Sequence, residues 1–326
     1  MKAIIAGIAH VVPDQVLSNA DLEKIVDTSD EWITQRTGIK ERRICSSTET
    51  TSVLAAQAGK KLLDKIEMDA SEVELIVVAS VTGDFMFPSV SCLVQDALGA
   101  NHAGAMDVGA ACAGFIYALC STSSMIECGN FKNAMVIGAD ALSKFVDWTD
   151  RSTCVLFGDG AAAVMLRADE SSERGVIKTF LKSDGSGAKF IDIEAGGNRY
   201  PFGSEQAKNK RTKIYMAGSE VYRFGVTAMG DACCRVLEAA GMKADDIDLF
   251  VPHQANLRII DSAAQRLGLP REKVFVNVEK YGNTSAASIP IALSEAEEIG
   301  RLRKGMTVMT VGFGAGLVWG ANIIRW

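Results

Sequence analysis

Apolar positions along this chain alternate between two rhythms. Residues 51–66, TSVLAAQAGKKLLDKI, carry apolar side chains at three- and four-residue spacing, which predicts a helix that Thr51 is placed to cap. Residues 74–80, ELIVVAS, are a short unbroken apolar run, the mark of a strand buried on both faces. PSVSCLVQDALGA (88–100) then reads as a helix with Pro88 near its start and Gly99 near its end. AMDVGAA (105–111) reads as a strand, AGFIYALCSTSSMIECG (113–129) as a helix of small and apolar residues, and AMVIGAD (134–140) and AAAVMLRA (161–168) as strands. The start, MKAIIAGIAHVVPDQ, is a strand meeting a turn.

The second half repeats the first. LFVPHQ (249–254) follows the pattern of LIVVAS (75–80), and VMTVGF (308–313) that of MVIGAD (135–140). GAGLVWGANIIR (314–325) likewise answers GDGAAAVMLRA (158–168). An internal duplication of a βαβ-rich unit follows, and with it a layered α/β body of largely parallel sheets with pseudo-two-fold symmetry. The segment from about 171 to 215 breaks the rhythm and reads as a long excursion.

Composition narrows the class. With 326 residues, 48% hydrophobic and 23% charged, the chain has ample material for a core and is not disordered. Its net charge of −6 gives no basic field to hold nucleic acid by its phosphates. No apolar run reaches the ~18 residues of a membrane helix, and the N-terminus lacks the apolar stretch and cleavage site of a signal peptide, so a cytoplasmic location is expected. The eight cysteines form no C-x-x-C pair, which leaves zinc-ribbon and thioredoxin-type readings without support.

Three residues stand out chemically. Cys112 follows a strand and a run of small residues, DVGAACAGF, and opens a helix, a setting expected to lower a thiol pKa. Of the three histidines, His10, His102 and His253, only His253 ends an apolar strand, where open α/β sheets bind ligands. Asn283 stands at the start of a helix in YGNTSAAS, at a place in the second repeat nearly equivalent to that of Cys112 in the first. Taken alone, Asn283 reads as a helix cap and His253 as a structural histidine. Together with the duplication they predict loops meeting at one centre. GFGAG (312–316) follows a strand and is suited to bring backbone N–H groups close to an oxyanion.

DVGAACAGF, VPHQANLRI, YGNTSAAS and GFGAGLVWG, in this order, resemble the β-ketoacyl-acyl-carrier-protein synthase III family. SDEWITQRTGIKERRI (29–44), FPS (87–89) and DRSTCVLFGDGAAA (150–163) agree, so the resemblance spans the chain. It implies a thiolase-like fold, two pseudo-symmetric βαβ-rich halves in a layered α-β-α-β-α body. Residues 1–172 would carry the nucleophile and 173–326 the His and Asn of the site. It implies a decarboxylative condensation of a short acyl-CoA with malonyl-acyl-carrier protein, the first step of bacterial fatty-acid synthesis, with no cofactor and no metal. Cys112 would carry the acyl group. His253 and Asn283 would bind the malonyl thioester carbonyl, and backbone N–H groups of Cys112 and Ala315 the tetrahedral oxyanion. Thr28, Trp32, Arg36, Arg151, Gly218 and Ser219 would bind CoA, Trp32 and Arg151 sandwiching its adenine. Phe87, Phe157 and Phe313 would shape the acyl pocket, Phe87 reaching into a partner subunit's pocket, which implies a homodimer. Arg223, Arg258 and Arg266 are candidates for docking the acidic carrier protein, with the run KNKRTK (208–213) as a further phosphate contact.

The sequence also departs from common family patterns. The glycine loop reads GAG where some members have three glycines, Ser219 stands where some have Asn, and Tyr222 replaces a frequent Phe. These bear on acyl specificity more than on reaction type. A starter-selecting condensing enzyme of polyketide metabolism keeps the same chemistry with a different product. A Cys–His thiol hydrolase would need His253 as a base for Cys112, and a non-catalytic acyl-binding protein would not need all three residues.

Overall fold

The structure is a computed structural model that describes all 326 residues. Two sheets form its frame. In the first, Lys2–Val11, Asp159–Asp169, Asn133–Ala141, Leu75–Ala79 and Gly104–Val108 lie side by side in that order. In the second the order is Gly175–Ser183, Val318–Arg325, Thr307–Gly314 and Leu249–Pro252. A bridge from Phe250 to Val274 adds a vestige of a fifth strand where the first sheet has Gly104–Val108. The two orders are the same, so the duplication read from the sequence is present in the topology.

The sheets are mixed, which corrects the expectation of largely parallel ones. Leu75–Ala79 runs parallel to both its neighbours and Leu249–Pro252 parallel to Thr307–Gly314, while the remaining pairings are antiparallel. The reason lies in connection length. Thr307–Gly314 returns as Val318–Arg325 after a turn too short for a crossover, and only a hairpin closes that way.

Burial explains the layers. Along Leu75–Ala79, Leu75, Val77 and Ala79 pack in one core and Ile76 and Val78 in another, so both faces are covered. The first of these cores joins both sheets through the helices Gly114–Glu127 and Ser288–Glu298. Most residues of these two central helices are buried, because both their flanks face a sheet. Thr51–Lys65 and Val90–Leu98 cover the outside of the first sheet, and Gly218–Ala240 and Leu257–Leu267 the outside of the second. The result is the α-β-α-β-α stack that the resemblance implies.

Local signals mostly act where the sequence puts them, with two exceptions. Thr50, not Thr51, caps the helix Thr51–Lys65 by accepting from the Val53 N–H, while the Thr51 hydroxyl donates to the Thr82 carbonyl. The excursion at 171–215 is only partly irregular. Gly175–Ser183 is the outer strand of the second sheet, and its exposed face, with Lys178 and Lys182, hides the apolar alternation. Beyond it, Ile191–Asp192 pairs with Tyr215–Met216, and Arg211 ties the intervening loop to Asp192 and Glu194.

One close approach fixes the site's frame. A Cβ at Gly138, on Asn133–Ala141, would collide with the Ala286 carbonyl in the short turn Ser285–Ala287. Since both partners are backbone, neither yields cheaply. Gly138→Ala is therefore expected to lower unfolding free energy by ~1–3 kcal/mol, the usual range for overpacking. Denaturant unfolding checks it, and a variant as stable as the parent would show that the turn shifts freely.

Candidate active site

The site forms where the central helices begin. Cys112 sits in a short 3-10 turn, Ala111–Ala113, immediately before Gly114–Glu127, rather than inside the helix itself. Small residues are required here. Ala111 adopts a positive φ of 44°, and a Cβ on Gly314 would lie 2.6 Å from the Cys112 nitrogen. The glycine loop therefore presses its backbone directly on the cysteine. The expected low thiol pKa is not found. Burial pushes the Cys112 thiol up to about 12, the Asp140 charge adds to the rise, and the Ser285 hydroxyl and backbone N–H pull against it. The pull of a helix start does not outweigh dehydration.

His253 continues the ladder of Leu249–Pro252, donating its N–H to the Val311 carbonyl at 2.7 Å. Its Nδ1 is 2.5 Å from the Ser288 Oγ, which also accepts from the Gln254 N–H at 3.3 Å. With the Ser288 proton directed to Nδ1, the ring proton resides on Nε2, which has no protein partner. Burial depresses the His253 pKa to about 3, so the ring is neutral at any working pH. The ring also meets Phe313 edge-on at 5.8 Å.

Asn283 is held through its backbone. Its N–H donates to the Leu156 carbonyl at 2.8 Å and its carbonyl accepts from Gly158 at 3.0 Å. Its Oδ1 accepts from the Ser285 N–H at 2.9 Å, an Asx turn two residues on; the residue at the cap of Ser285–Ala287 is Thr284, which corrects the reading of Asn283 as a helix cap. The Nδ2 group is left free.

Cys112, His253 and Asn283 line one cavity of about 380 Å³. Phe157, Phe313 and the Ala315 backbone join them, with Gly218 and Tyr222 toward the outside, and most of the wall is apolar. Trp32 and Arg151 also come together. The guanidinium lies 5.1 Å from the indole centroid and donates to the Asp27 carbonyl at 2.7 Å. Thr28 is half-buried and Arg36 exposed, and the Arg36 carbonyl accepts from Asn256, a cavity residue. Ser219 is exposed and its hydroxyl is bonded to Glu220 at 2.6 Å. Arg258 stacks over Tyr222 at 5.1 Å, and Arg223 pairs with Glu220 nearby.

Two predicted residues lie elsewhere. Phe87 is 85% exposed and does not line the cavity of its own chain. Arg266 packs over Gly230 on the long helix and not beside the cavity residues, because it sits two turns beyond Arg258 on Leu257–Leu267. Sequence reasoning missed Asp140, Ser285 and Ser288. The signal for Asp140 was available, an acid closing an otherwise apolar strand. Ser285 and Ser288 lay inside the YGNTSAAS motif, where only Asn283 was singled out. No group of three or more His, Cys, Asp or Glu side chains is assembled to hold a metal ion, and no helix is long and apolar enough to cross a membrane.

A thiol, an imidazole and an amide with open ends and a glycine-loop backbone on one apolar cavity, in this duplicated five-layer frame, are what the thiolase-fold class of condensing acyltransferases requires. The comparisons with known proteins then give the family. The profile described as 3-oxoacyl-[acyl-carrier-protein] synthase III matches residues 106–185, and its C-terminal counterpart matches residues 237–326. A β-ketoacyl-[acyl-carrier-protein] synthase III of Caldanaerobacter subterraneus is 48% identical over 326 residues, covering 100% of this chain and 98% of that protein. The synthase III 1 of Bacillus anthracis is 48% identical over the same length and 99% of its own. The crystal structure of the Aquifex aeolicus 3-oxoacyl-[acyl-carrier-protein] synthase III superposes with a TM-score of 0.92 at 46% identity, covering 99% of this chain and 100% of that one. This chain belongs to the β-ketoacyl-[acyl-carrier-protein] synthase III family, the condensing enzymes that initiate fatty-acid synthesis.

The neutral His253 has a consequence for stability. Its folded pKa, about 3, lies far below the ordinary 6.5. Below that ordinary value the unfolded chain binds a proton that the folded protein refuses, so stability falls as pH drops from 6.5 toward 3. At pH 5 this one residue costs ~2 kcal/mol, at about 1.36 kcal/mol per pH unit. His253→Gln should flatten that part of the stability–pH curve in denaturant titrations. An unchanged slope would mean that His253 is protonated in the folded protein.

Proposed function

We propose that Cys112, His253 and Asn283 divide the condensation between them. The observation that carries this is the convergence of one thiol and two donor groups with open ends, His253 Nε2 and Asn283 Nδ2, on one apolar cavity. The Cys112 sulfur attacks the carbonyl of a short acyl-CoA, the bond from carbonyl to CoA sulfur breaks, and CoA departs as a thiol. A malonyl thioester on acyl carrier protein then enters. Its carboxylate leaves as CO2, and the electron pair moves onto the thioester carbonyl as an enolate. Nε2–H and Nδ2–H stabilise that oxygen, and the apolar wall favours loss of the charged carboxylate. The enolate carbon attacks the Cys112 thioester, whose oxyanion is held by the Cys112 and Ala315 N–H groups. The sulfur is expelled as a thiolate and takes one proton from water, since its first proton left with CoA. The balance calls for neither an oxidant nor a metal.

The remaining roles follow the same logic. Trp32 and Arg151 take the CoA adenine, for which the guanidinium must lift from the indole it covers. Thr28, Arg36, Gly218 and Ser219 line the path of the arm, and Ser219 must first release Glu220. Arg258 and Arg223, beside the cavity mouth, receive the acidic carrier protein, and Arg266 is the weakest of the three docking candidates for the position given above. Phe85, Met86 and Phe87 form an exposed apolar ridge that suits a homodimer in which Phe87 enters the partner's pocket. We take 1–172 and 173–326 as the functional halves and the cytoplasm as the location.

Two other readings fare worse. The priming ketosynthase of the R1128 polyketide pathway superposes with a TM-score of 0.92 but at 32% identity, below the 46–48% of the fatty-acid relatives. A thiol hydrolase would need an acidic partner to hold His253 as a base, and the Nδ1 partner is the Ser288 hydroxyl instead.

Incubation with acetyl-CoA, followed by intact mass and peptide mapping, tests the first step. The expected result is an acetyl group on Cys112 that malonyl-carrier protein clears with release of CO2. Absence of any adduct with acetyl, branched and longer acyl-CoAs would overturn the reading. His253→Ala should still acylate Cys112 but lose ~10²–10³-fold in decarboxylation, the range for removing one donor at a developing oxyanion. Loss of acylation with normal decarboxylation would make His253 the base for the thiol. Cys112→Ala should lose condensation entirely.

A further inference from the structure

A buried hydroxyl and a buried carboxylate stand behind Cys112 without an assigned role. Ser285 is 1% exposed, lines the cavity beside Cys112, and its Oγ has no hydrogen-bond partner. Leaving a buried hydroxyl unpaired is unfavourable. Its backbone is also held in an unusual state, with φ at 53°, by Asn283 Oδ1 on its own N–H and by Asp140 Oδ2 on the next one.

Asp140 is wholly buried. Its Oδ1 accepts from the Ser80 hydroxyl, the Val81 and Thr82 N–H groups and the Thr82 hydroxyl at 2.7–3.1 Å. Its Oδ2 accepts only from the Ala286 N–H, at 3.2 Å. Five donors fit a carboxylate, and the crowding is all on Oδ1, so Oδ2 keeps room for a proton. Burial raises the pKa of Asp140 as it does that of Cys112, and the Ser285 hydroxyl works against burial at both, although it closes a full hydrogen bond with neither.

We propose that Ser285 is a further catalytic residue: its hydroxyl takes the Cys112 thiol proton as the thioester forms, while its own proton passes to Asp140. This rests on the reading of Cys112 as the acylated nucleophile. As the sulfur–carbon bond forms, the thiol proton moves to the Ser285 oxygen and the Ser285 proton to Asp140 Oδ2. When the bond to CoA breaks, the Ser285 proton goes to the departing CoA sulfur and Asp140 returns its proton to Ser285. Asp140 is a positioning residue that acts through Ser285. The advantage is electrostatic. Losing the thiol proton to solvent would leave two anions in one dry site, and giving it to His253 would create a buried cation. Passing it to Asp140 keeps a single negative charge throughout.

The test follows acylation of Cys112 by acetyl-CoA in rapid-quench mass measurements from pH 6 to 9, with CO2 release from malonyl-carrier protein measured alongside. Ser285→Ala should slow acylation ~10²-fold, at the low end for general acid–base catalysis, and slow CO2 release far less. Its acylation rate should rise nearly tenfold per pH unit, because the thiol must now ionise to solvent, whereas the parent's rate should vary little with pH. Ser285→Gly, which accepts the positive φ, should behave like Ser285→Ala. Asp140→Asn should also slow acylation, and where that variant does not fold the two Ser285 variants decide. Acylation of Ser285→Ala at the parent's rate, an unchanged pH slope, equal losses in both half-reactions, or faster acylation in Asp140→Asn would each overturn the relay while leaving Cys112 as nucleophile. A parent protein that takes no acyl group on Cys112 would overturn both.

Discussion

Everything at this site depends on the burial of two helices between two sheets. Gly114–Glu127 and Ser288–Glu298 fill the space that both sheets need covered, and the largest core of the protein is built on them. A helix buried on all sides cannot shift without opening cavities, which cost several kcal/mol each. The turns that lead into the two helices are therefore fixed against each other. A Cβ on Gly114 would meet the Ala79 and Ala286 methyls at 3.1 and 3.4 Å, a spacing that leaves little play between the turn of Cys112 and that of Ser285. The duplication thus does more than double the fold. It brings two equivalent turns to one centre, one contributing a thiol and the other an amide.

The same dryness sets the electrostatics. It raises the Cys112 thiol and lowers His253, so both are neutral at rest. A low-pKa thiolate paired with an imidazolium, the arrangement of many cysteine hydrolases, is not available here. Neutrality suits a condensation better. An imidazole that is already a donor on Nε2 stabilises an enolate without having to be protonated first. Burial raises the pKa of Asp140, and the cost of that burial is offset by the five donors that surround it.

Much of this was legible in the sequence, and the losses have physical causes. Strands buried on both faces, such as Leu75–Ala79, announced themselves as apolar runs, and the repeat fixed the topology. The edge strand Gly175–Ser183 did not, because half of it faces water and its lysines read as loop. Sheet direction was misread because apolar period reports burial and not direction, which lay instead in the short connection from Thr307–Gly314 to Val318–Arg325 that permits only a hairpin. Cys112, His253 and Asn283, singled out by position, strand end and helix start, do line one cavity. The Cys112 pKa was misjudged because a helix start is a local feature, whereas dehydration is set by residues far away in the chain, among them Leu142, Phe157 and Ile214.

The least legible feature is how the polar groups of the site are partnered. His253 spends Nδ1 on Ser288 and leaves Nε2 open, and Asn283 spends Oδ1 on the Ser285 N–H and leaves Nδ2 open. Each side chain is anchored by one end and offers the other. Anchoring fixes direction, since a ring or amide bonded at one atom cannot flip without losing that bond, and it fixes polarity, since both open ends are donors. Ser285 has only a hydroxyl, which turns freely about one bond and is anchored by neither neighbour. In the proposed relay it serves Cys112 and Asp140 in turn, a freedom that the rigid donors lack. A site that must stabilise an oxygen in one half-reaction and move a proton in the other needs both kinds of group, and Ser285 lines the same cavity as Cys112, His253 and Asn283.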